Sequence, residues 1–287
     1  MAHMWCMKNS QYVILLIMLI ICASLAAGCT SSASSGTANP LTPAPAVTQE
    51  KTQENLLVYS GAGLKKPMQE IGTAFTDKYG VSVQYTFGGS GMLISQMTLT
   101  HKGDVFVPGS TVEFNLAKNQ GLVDTSQLVA YHVPVIAVQK GNPKGISTLE
   151  DFATPGLKVA LGDANATAIG KAGTKMFTKF DIVETVEENV ITRTPTINEL
   201  TVIMNTGQAD AAILTLDQID PDKVDTLTIP VEDNVILVIP VGVTTFSANP
   251  ETAQKFADFV ASEDGKAIFA KHGFPSYPDP AYASISP

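Results

Sequence analysis

Four short stretches carry the residues that could do chemistry in this chain. They are Ser60, Gly61, Ala62 and Gly63 ("SGAG"); Gly88, Gly89, Ser90 and Gly91 ("GGSG"); the run "GDANATAIG" from Gly162 to Gly170, with Thr167 and Ile169; and "RTPTIN" from Arg193 to Asn198. Each follows an apolar, β-forming run and precedes a helical pattern, so each puts small or hydroxyl residues and free amides at the opening of a helix. The N–H groups of a helix's first turn have no partner within the helix, and the aligned peptide dipoles leave roughly half an elementary charge there. Several such ends aimed at one point would hold an oxyanion without a formal counter-ion. A single junction of this kind is read equally well as a tight turn or a cap. Four together, one of them Gly-Gly-Ser-Gly after a strand, exceed what turns require.

Other chemistry finds less support. Arg193 is the sole arginine; it is a candidate clamp for an anion, set against an ion pair with the acidic segment at 184–188. "GAGLKK" starts like a dinucleotide fingerprint but has Lys66 where the third glycine belongs, and no P-loop run occurs. Met92 stands where a nucleophile elbow around Ser90 needs its second glycine. After the first 28 residues the histidines are His101, His132 and His272, far apart and without the cysteine spacing of a metal site. His132 could face a cleft, although a hydrogen-bonded structural histidine is the plainer reading. Glu187 and Glu188 read as a solvated helix end. Neither a hydrolase nor any cofactor is indicated.

The elements that must position these stretches alternate between short strands and amphipathic helices, the pattern of an α/β fold with mostly parallel strands. Leu64, Met68, Ile71, Phe75 and Tyr79 fall on one helical face. Ser147 with Glu150, and Thr196 with Glu199, have capping-box spacing. Two β-forming runs, from Tyr131 to Val138 and from Val235 to Val243, each contain a proline, which a central strand tolerates poorly. Read as crossover strands, they divide the chain into one lobe at 54–133 plus 241–287 and another at 134–240. The alternative is two bent edge strands of a single sheet. In open α/β sheets ligands sit beyond the carboxyl ends of strands, so a two-lobed fold would aim two helix starts from each lobe at one cleft.

At the beginning of the chain Lys8 precedes a long apolar run that ends in "LAAGC". This reads as a lipoprotein signal peptide over 1–28, with lipid on Cys29, against an uncleaved anchor as the alternative. Residues 29–53, rich in Ser, Thr, Ala and Pro, read as a tether. Met7 is a plausible second start. With Cys6 and Cys22 in the removed segment, no internal disulfide is available. Of 18 basic residues only Lys8 lies in that segment, so the remainder carries 17 basic against 27 acidic residues, a net charge of −10. Nucleic acid is excluded as a partner.

These residues give the chain a resemblance to extracytoplasmic solute-binding proteins of ABC importers, most closely the molybdate/tungstate-binding branch. It is carried by "VYSGAGLKKPMQEIGTAF", "VSVQYTFGGSGMLISQM", "GDVFVPGS", "LKVALGDANATAIGK", "TGQADAAIL" and "FADFVASEDGKAIFAKHGF", nearly everything from Leu56 to Phe274. The resemblance implies a two-lobed, type II periplasmic-binding-protein-like fold with two crossover strands. It also implies a monomer held at the outer face of the membrane and serving a permease and its ATPase. The fold would close on a tetrahedral oxyanion held by amides and hydroxyls. Ser90 matches the family's second-loop serine. The first-loop serine falls on Gly63, with Ser60 as a possible substitute. Backbone donors fall at Ile169 and Ile197, and a family tyrosine falls on Thr215. Asp217 and Glu199 lie nearby but match no metal-centre ligand. A carboxylate in the cleft, from Asp163 or Asp104, would favour phosphate; without one, molybdate, tungstate or sulfate is favoured. A small organic anion clamped by Arg193, or a ferric species, is the alternative ligand.

Overall fold

The computed structural model describes residues 55–287; the expected signal peptide, Cys29 and the tether lie outside the described residues. Two five-stranded sheets dominate. The first contains β1 (Asn55–Gly61), β2 (Ser82–Gly88), β3 (Val105–Val107), β4 (Gln127–His132) and β10 (Leu237–Val243), in the order β2-β1-β3-β10-β4. The second contains β5 (Pro134–Gln139), β6 (Val159–Gly162), β7 (Val190–Thr194), β8 (Ala211–Thr215) and β9 (Val224–Thr228), in the order β7-β6-β8-β5-β9. Helices α1 (Lys65–Tyr79), α2 (Ser90–Thr100) and α3 (Thr111–Asn119) belong to the first half of the chain. Helices α4 (Ala168–Lys179), α5 (Val183–Asn189) and α6 (Ile197–Asn205) accompany the second sheet, and α7 (Pro250–Ala261) and α8 (Glu263–Lys271) return to the first.

The expectation of mostly parallel strands holds for half the pairings. β1 runs parallel to β2 and β3, and β6 parallel to β7 and β8. β10 is antiparallel to β3 and β4, and β5 to β8 and β9, because each enters its sheet from the other lobe. The run from Tyr131 to Val138 is not one strand but two. β4 ends at His132, and Pro134 opens β5 in the other sheet, a first-residue position that proline tolerates. Pro240 lies inside β10, between β3 and β4, and the register shifts between Ile239 and Pro240. A bulge thus absorbs the missing N–H in an interior strand. The return crossing expected at 240–241 falls within β10, which is already paired in the first sheet from Leu237.

Each sheet has its own apolar core. Val58, Met68, Phe75, Ile239, Phe256 and Phe269 are buried in the first, and Ile136, Val159, Met176, Leu200, Ile213 and Leu214 in the second. The expected face of α1 is buried at Met68, Ile71 and Phe75, while Tyr79 stays 40% exposed and leans on Phe75 and Phe259. The Ser147–Glu150 capping box does not form. Asp151 instead accepts from the Ser147 and Thr148 N–H groups at 2.6 and 2.9 Å, and a 3-10 turn starts at Glu150. Thr196 does cap α6, accepting from the Glu199 N–H at 3.3 Å.

Asp104 is buried, and both its oxygens have structural partners. Oδ2 accepts from the Leu57 N–H at 2.8 Å and Oδ1 from the Ser247 hydroxyl at 2.6 Å. It fastens β1 to the turn that follows β10. Asp104→Ala is expected to cost on the order of 2–3 kcal/mol, since it orphans a backbone donor bonded to a carboxylate. A denaturant titration should show a lower midpoint with an unchanged slope, and ligand affinity in the folded protein should stay as it was.

Candidate functional site

All four strand-end stretches meet at one cavity of about 40 Å³. From the first lobe its wall takes Gly61, Ala62, Gly63 and Leu64, then Gly88, Gly89 and Ser90, with Gly109 beside them. From the second it takes Thr167, Ala168 and Ile169, then Thr196 and Ile197. His132, the last residue of β4, completes it. These positions open a 3-10 turn that runs straight into α1, and open α2, α4 and α6. The starts of four helical segments therefore border one space, with first-turn amides that the helix ladder does not use. No Lys, Arg, Asp or Glu lines it. At 10–15 Å³ for each water probe, the space takes about three waters or one small ion.

Local sequence explains the geometry. Thr167 caps α4 by accepting from the Gly170 N–H at 3.0 Å, which leaves Ala168 and Ile169 at the first helical positions with amides free of the helix ladder. Thr196 does the same for Ile197 and Asn198 in α6. At α2 no side chain caps the start, and Ser90, 4% exposed, turns its Oγ to accept from the Gly109 N–H at 3.2 Å. The glycines of "GGSG" answer to the opposing lobe. A Cβ on Gly89 would lie 2.5 Å from the Pro195 carbonyl and 2.7 Å from that of Ala166, and one on Gly91 would lie 2.4 Å from that of Asn165.

Bonds across the cleft hold this arrangement closed. The Gly91 N–H donates to the Ala166 carbonyl at 3.2 Å. The Asn198 amide donates to the Ala62 carbonyl at 3.0 Å, and the Gln218 amide to that of Gly63 at 3.1 Å. Lys171 of α4 reaches Glu113 of α3 at 2.8 Å, and Glu113 is only 1% exposed, with Ser110 bonded to its other oxygen.

Several candidate residues stand elsewhere. Ser60 is fully buried behind the wall, its Oγ without a partner in the structure. Gly91 and Asn198 act across the cleft rather than in the wall. Arg193 does not line the cavity. It pairs with Glu187, donates to the Gly162 carbonyl at 3.4 Å, and borders a separate groove with Asn198 and Glu199. Thr215 is fully buried, with its hydroxyl 2.9 Å from His132 Nε2. Gly63 has no room for the serine the resemblance puts there, because a Cβ would come within 2.9 Å of Ile197 Cγ2. Asp163 turns back on its own loop, accepting from the Asn165 and Ala166 N–H groups at 2.7 and 3.1 Å. With Asp104 tied to β1, neither suggested carboxylate enters the cavity. The residue that sequence reading set aside is His132; its place at a strand end just before a crossing was the available signal.

Comparison with known proteins agrees with this architecture. The family model described as bacterial extracellular solute-binding protein matches residues 56–275. A binding protein of Haemophilus influenzae is 28% identical over 222 residues, which is 77% of this chain and 90% of that relative. The molybdate-binding protein ModA of Mycobacterium tuberculosis is 26% identical over 224 residues, 77% of this chain and 84% of its own length. Among solved structures, the sulfate-binding protein SubI of M. tuberculosis H37Rv superposes with a TM-score of 0.70 at 21% identity, covering 81% of this chain and 90% of that one. The fold is the two-lobed, periplasmic-binding-protein type.

Gly91→Ala is expected to weaken ligand binding at least ~10-fold, since the closed state becomes a minor population and apparent affinity falls in proportion. Calorimetry measures the loss. Small-angle scattering should show that added ligand no longer compacts the variant, while its melting temperature without ligand stays within a few degrees of the parent.

Proposed function

This chain belongs to the bacterial extracellular solute-binding proteins, and from that premise we propose that it captures a tetrahedral dianion, molybdate or tungstate, and delivers it to an ABC permease driven by a cytoplasmic ATPase. One observation carries the reading: helix starts from both lobes surround a cavity of about 40 Å³ whose wall contains no carboxylate. A fully deprotonated oxyanion accepts hydrogen bonds and donates none, so a wall of donors suits it. Hydrogen phosphate keeps a proton and wants an acceptor. The engagement of Asp163 and Asp104 elsewhere supports the same choice.

The volume argues against drug-sized ligands, which occupy pockets of roughly 300–1,000 Å³. Arg193, engaged with Glu187, is not free to clamp an organic anion. Lipid on Cys29 and the tether at 29–53 would keep the monomeric binding lobes beside the permease.

Titration calorimetry of the purified protein should give tight binding of molybdate and tungstate, weaker binding of sulfate, and weak or no binding of phosphate. An absence of heat with all four ions would refute the proposal. Arg193→Ala should leave molybdate affinity within about threefold, the scale of an exposed ion pair; a loss of a hundredfold would favour an arginine-clamped ligand. Cys29→Ala, expressed in a bacterium that processes lipoproteins, should move the protein from the membrane fraction to the soluble one.

A further inference from the structure

The cavity wall contains one ionisable side chain, and its free nitrogen has nothing to bond. His132 is 5% exposed, at the junction of β4 with the other lobe. One end of its ring is fully engaged. Nε2 lies 3.0 Å from Asp217 Oδ1, 3.3 Å from Oδ2 and 2.9 Å from the Thr215 hydroxyl. The other nitrogen, Nδ1, is buried without a partner. A buried polar atom lacking a partner is costly, and in a native fold it points to a missing group.

We propose that His132 is a direct ligand of the bound anion, donating from Nδ1, and that Asp217 is the positioning residue that keeps a proton on Nε2. The inference rests on the oxyanion reading above and adds a residue to it.

The chemistry follows from Asp217. Its side chain is 1% exposed, and its partners are the His132 ring and the Gln218 amide, the latter at 2.6 Å. A carboxylate there accepts, so Nε2 carries a hydrogen. Nδ1 then either offers a lone pair or carries a second proton. A lone pair facing a dianion repels it. A second proton makes the ring a donor to the anion and balances the charge of Asp217. Asp217 is the charged group set against this ring. Thr215 from β8, Phe274 with its ring centroid 5.2 Å away, and Gly63, whose Cβ would stand 3.6 Å from His132 Cε1, carry no charge. The dianion should therefore bind to the ring that carries both protons, and where the free protein lacks the second one it is drawn from the buffer on binding. Gln218 bonds both Asp217 and the Gly63 carbonyl, so closure and ring orientation are set together.

The test is calorimetry of the full chain with molybdate across a range of pH, repeated in buffers of different ionisation enthalpy. At pH values where the free ring lacks its second proton, the parent protein should take up a substantial fraction of a proton for each anion bound. His132→Gln should bind ~10- to 100-fold more weakly, the scale of a charge-assisted hydrogen bond, with no proton uptake. Asp217→Asn should lower both affinity and uptake while the fold persists. Equal affinity and equal uptake in the parent and His132→Gln would overturn the inference and leave the oxyanion reading standing. So would phosphate binding more tightly than molybdate without proton uptake, since Nδ1 would then be an acceptor. Failure of the parent to bind any of these ions would remove both. Should His132→Gln fail to fold, nitrogen NMR of the parent decides: added molybdate should convert the His132 signal to the doubly protonated form, and an unchanged signal counts against the proposal.

Discussion

An anion leaving water must find hydrogen-bond donors already in place, or the loss of hydration is never recovered. On the oxyanion reading the donors would be main-chain N–H groups at four helix starts, around a wall that lacks lysine and arginine. Such donors are fixed by the helices that carry them, so no long side chain has to be immobilised when the ligand arrives. They can converge only where side chains do not intervene. That condition explains why the wall is built largely from glycine, alanine and capping threonines. It also requires helices from two sheets to point at one place. The exchange of strands between sheets, β4 into β5 on the outward path and back through β10, meets this need.

Because the cavity wall is shared between the lobes, neither lobe forms it alone. The closed form gains the cross-cleft bonds of Gly91, Asn198 and Gln218, and the Lys171–Glu113 pair. Glu113 is almost wholly buried with Ser110 on one oxygen. On opening, it would lose its cation, and a buried charge without its partner is strongly unfavourable. A buried ion pair adds little net stability over an apolar pair, but its strict geometry admits one register of the two helices. Its part in closure is alignment more than attraction.

The strand ends were readable because their composition departs from what an ordinary turn needs, and the helical faces because their periodicity is strong, as at Met68, Ile71 and Phe75. What escaped depended on contacts distant in sequence. The run through Tyr131 and Val138 read as one strand because Val133, where the chain changes sheets, is as β-forming as its neighbours. β9, with the pattern Val-Asp-Thr-Leu-Thr at the edge of the second sheet, has too short an alternation to stand out. Gly89 and Gly91 read as part of a donor-rich strand end, yet their need for glycine comes from the carbonyls of Asn165, Ala166 and Pro195 in the other lobe. Arg193 attracted attention by rarity, whereas its partner Glu187 was only six positions away.

The same glycine contacts bear on which ion the cavity would prefer on the oxyanion reading. Sulfate and molybdate share charge and shape, so donors alone cannot separate them, and size must. Main-chain atoms of the two lobes already meet at Gly89 and Gly91, at distances that leave no space for even a methyl group. Backbone contact of this kind acts as a stop, because protein interiors resist compression. The lobes cannot close further to grip a smaller ion. An ion below the fitted size would leave some amides stretched, and hydrogen bonds weaken steeply away from their preferred length and angle. If the ligand is an oxyanion, a cavity whose dimensions are set by backbone stops would penalise the smaller one, and that penalty is the physical ground for the proposal that sulfate binds more weakly than molybdate and tungstate.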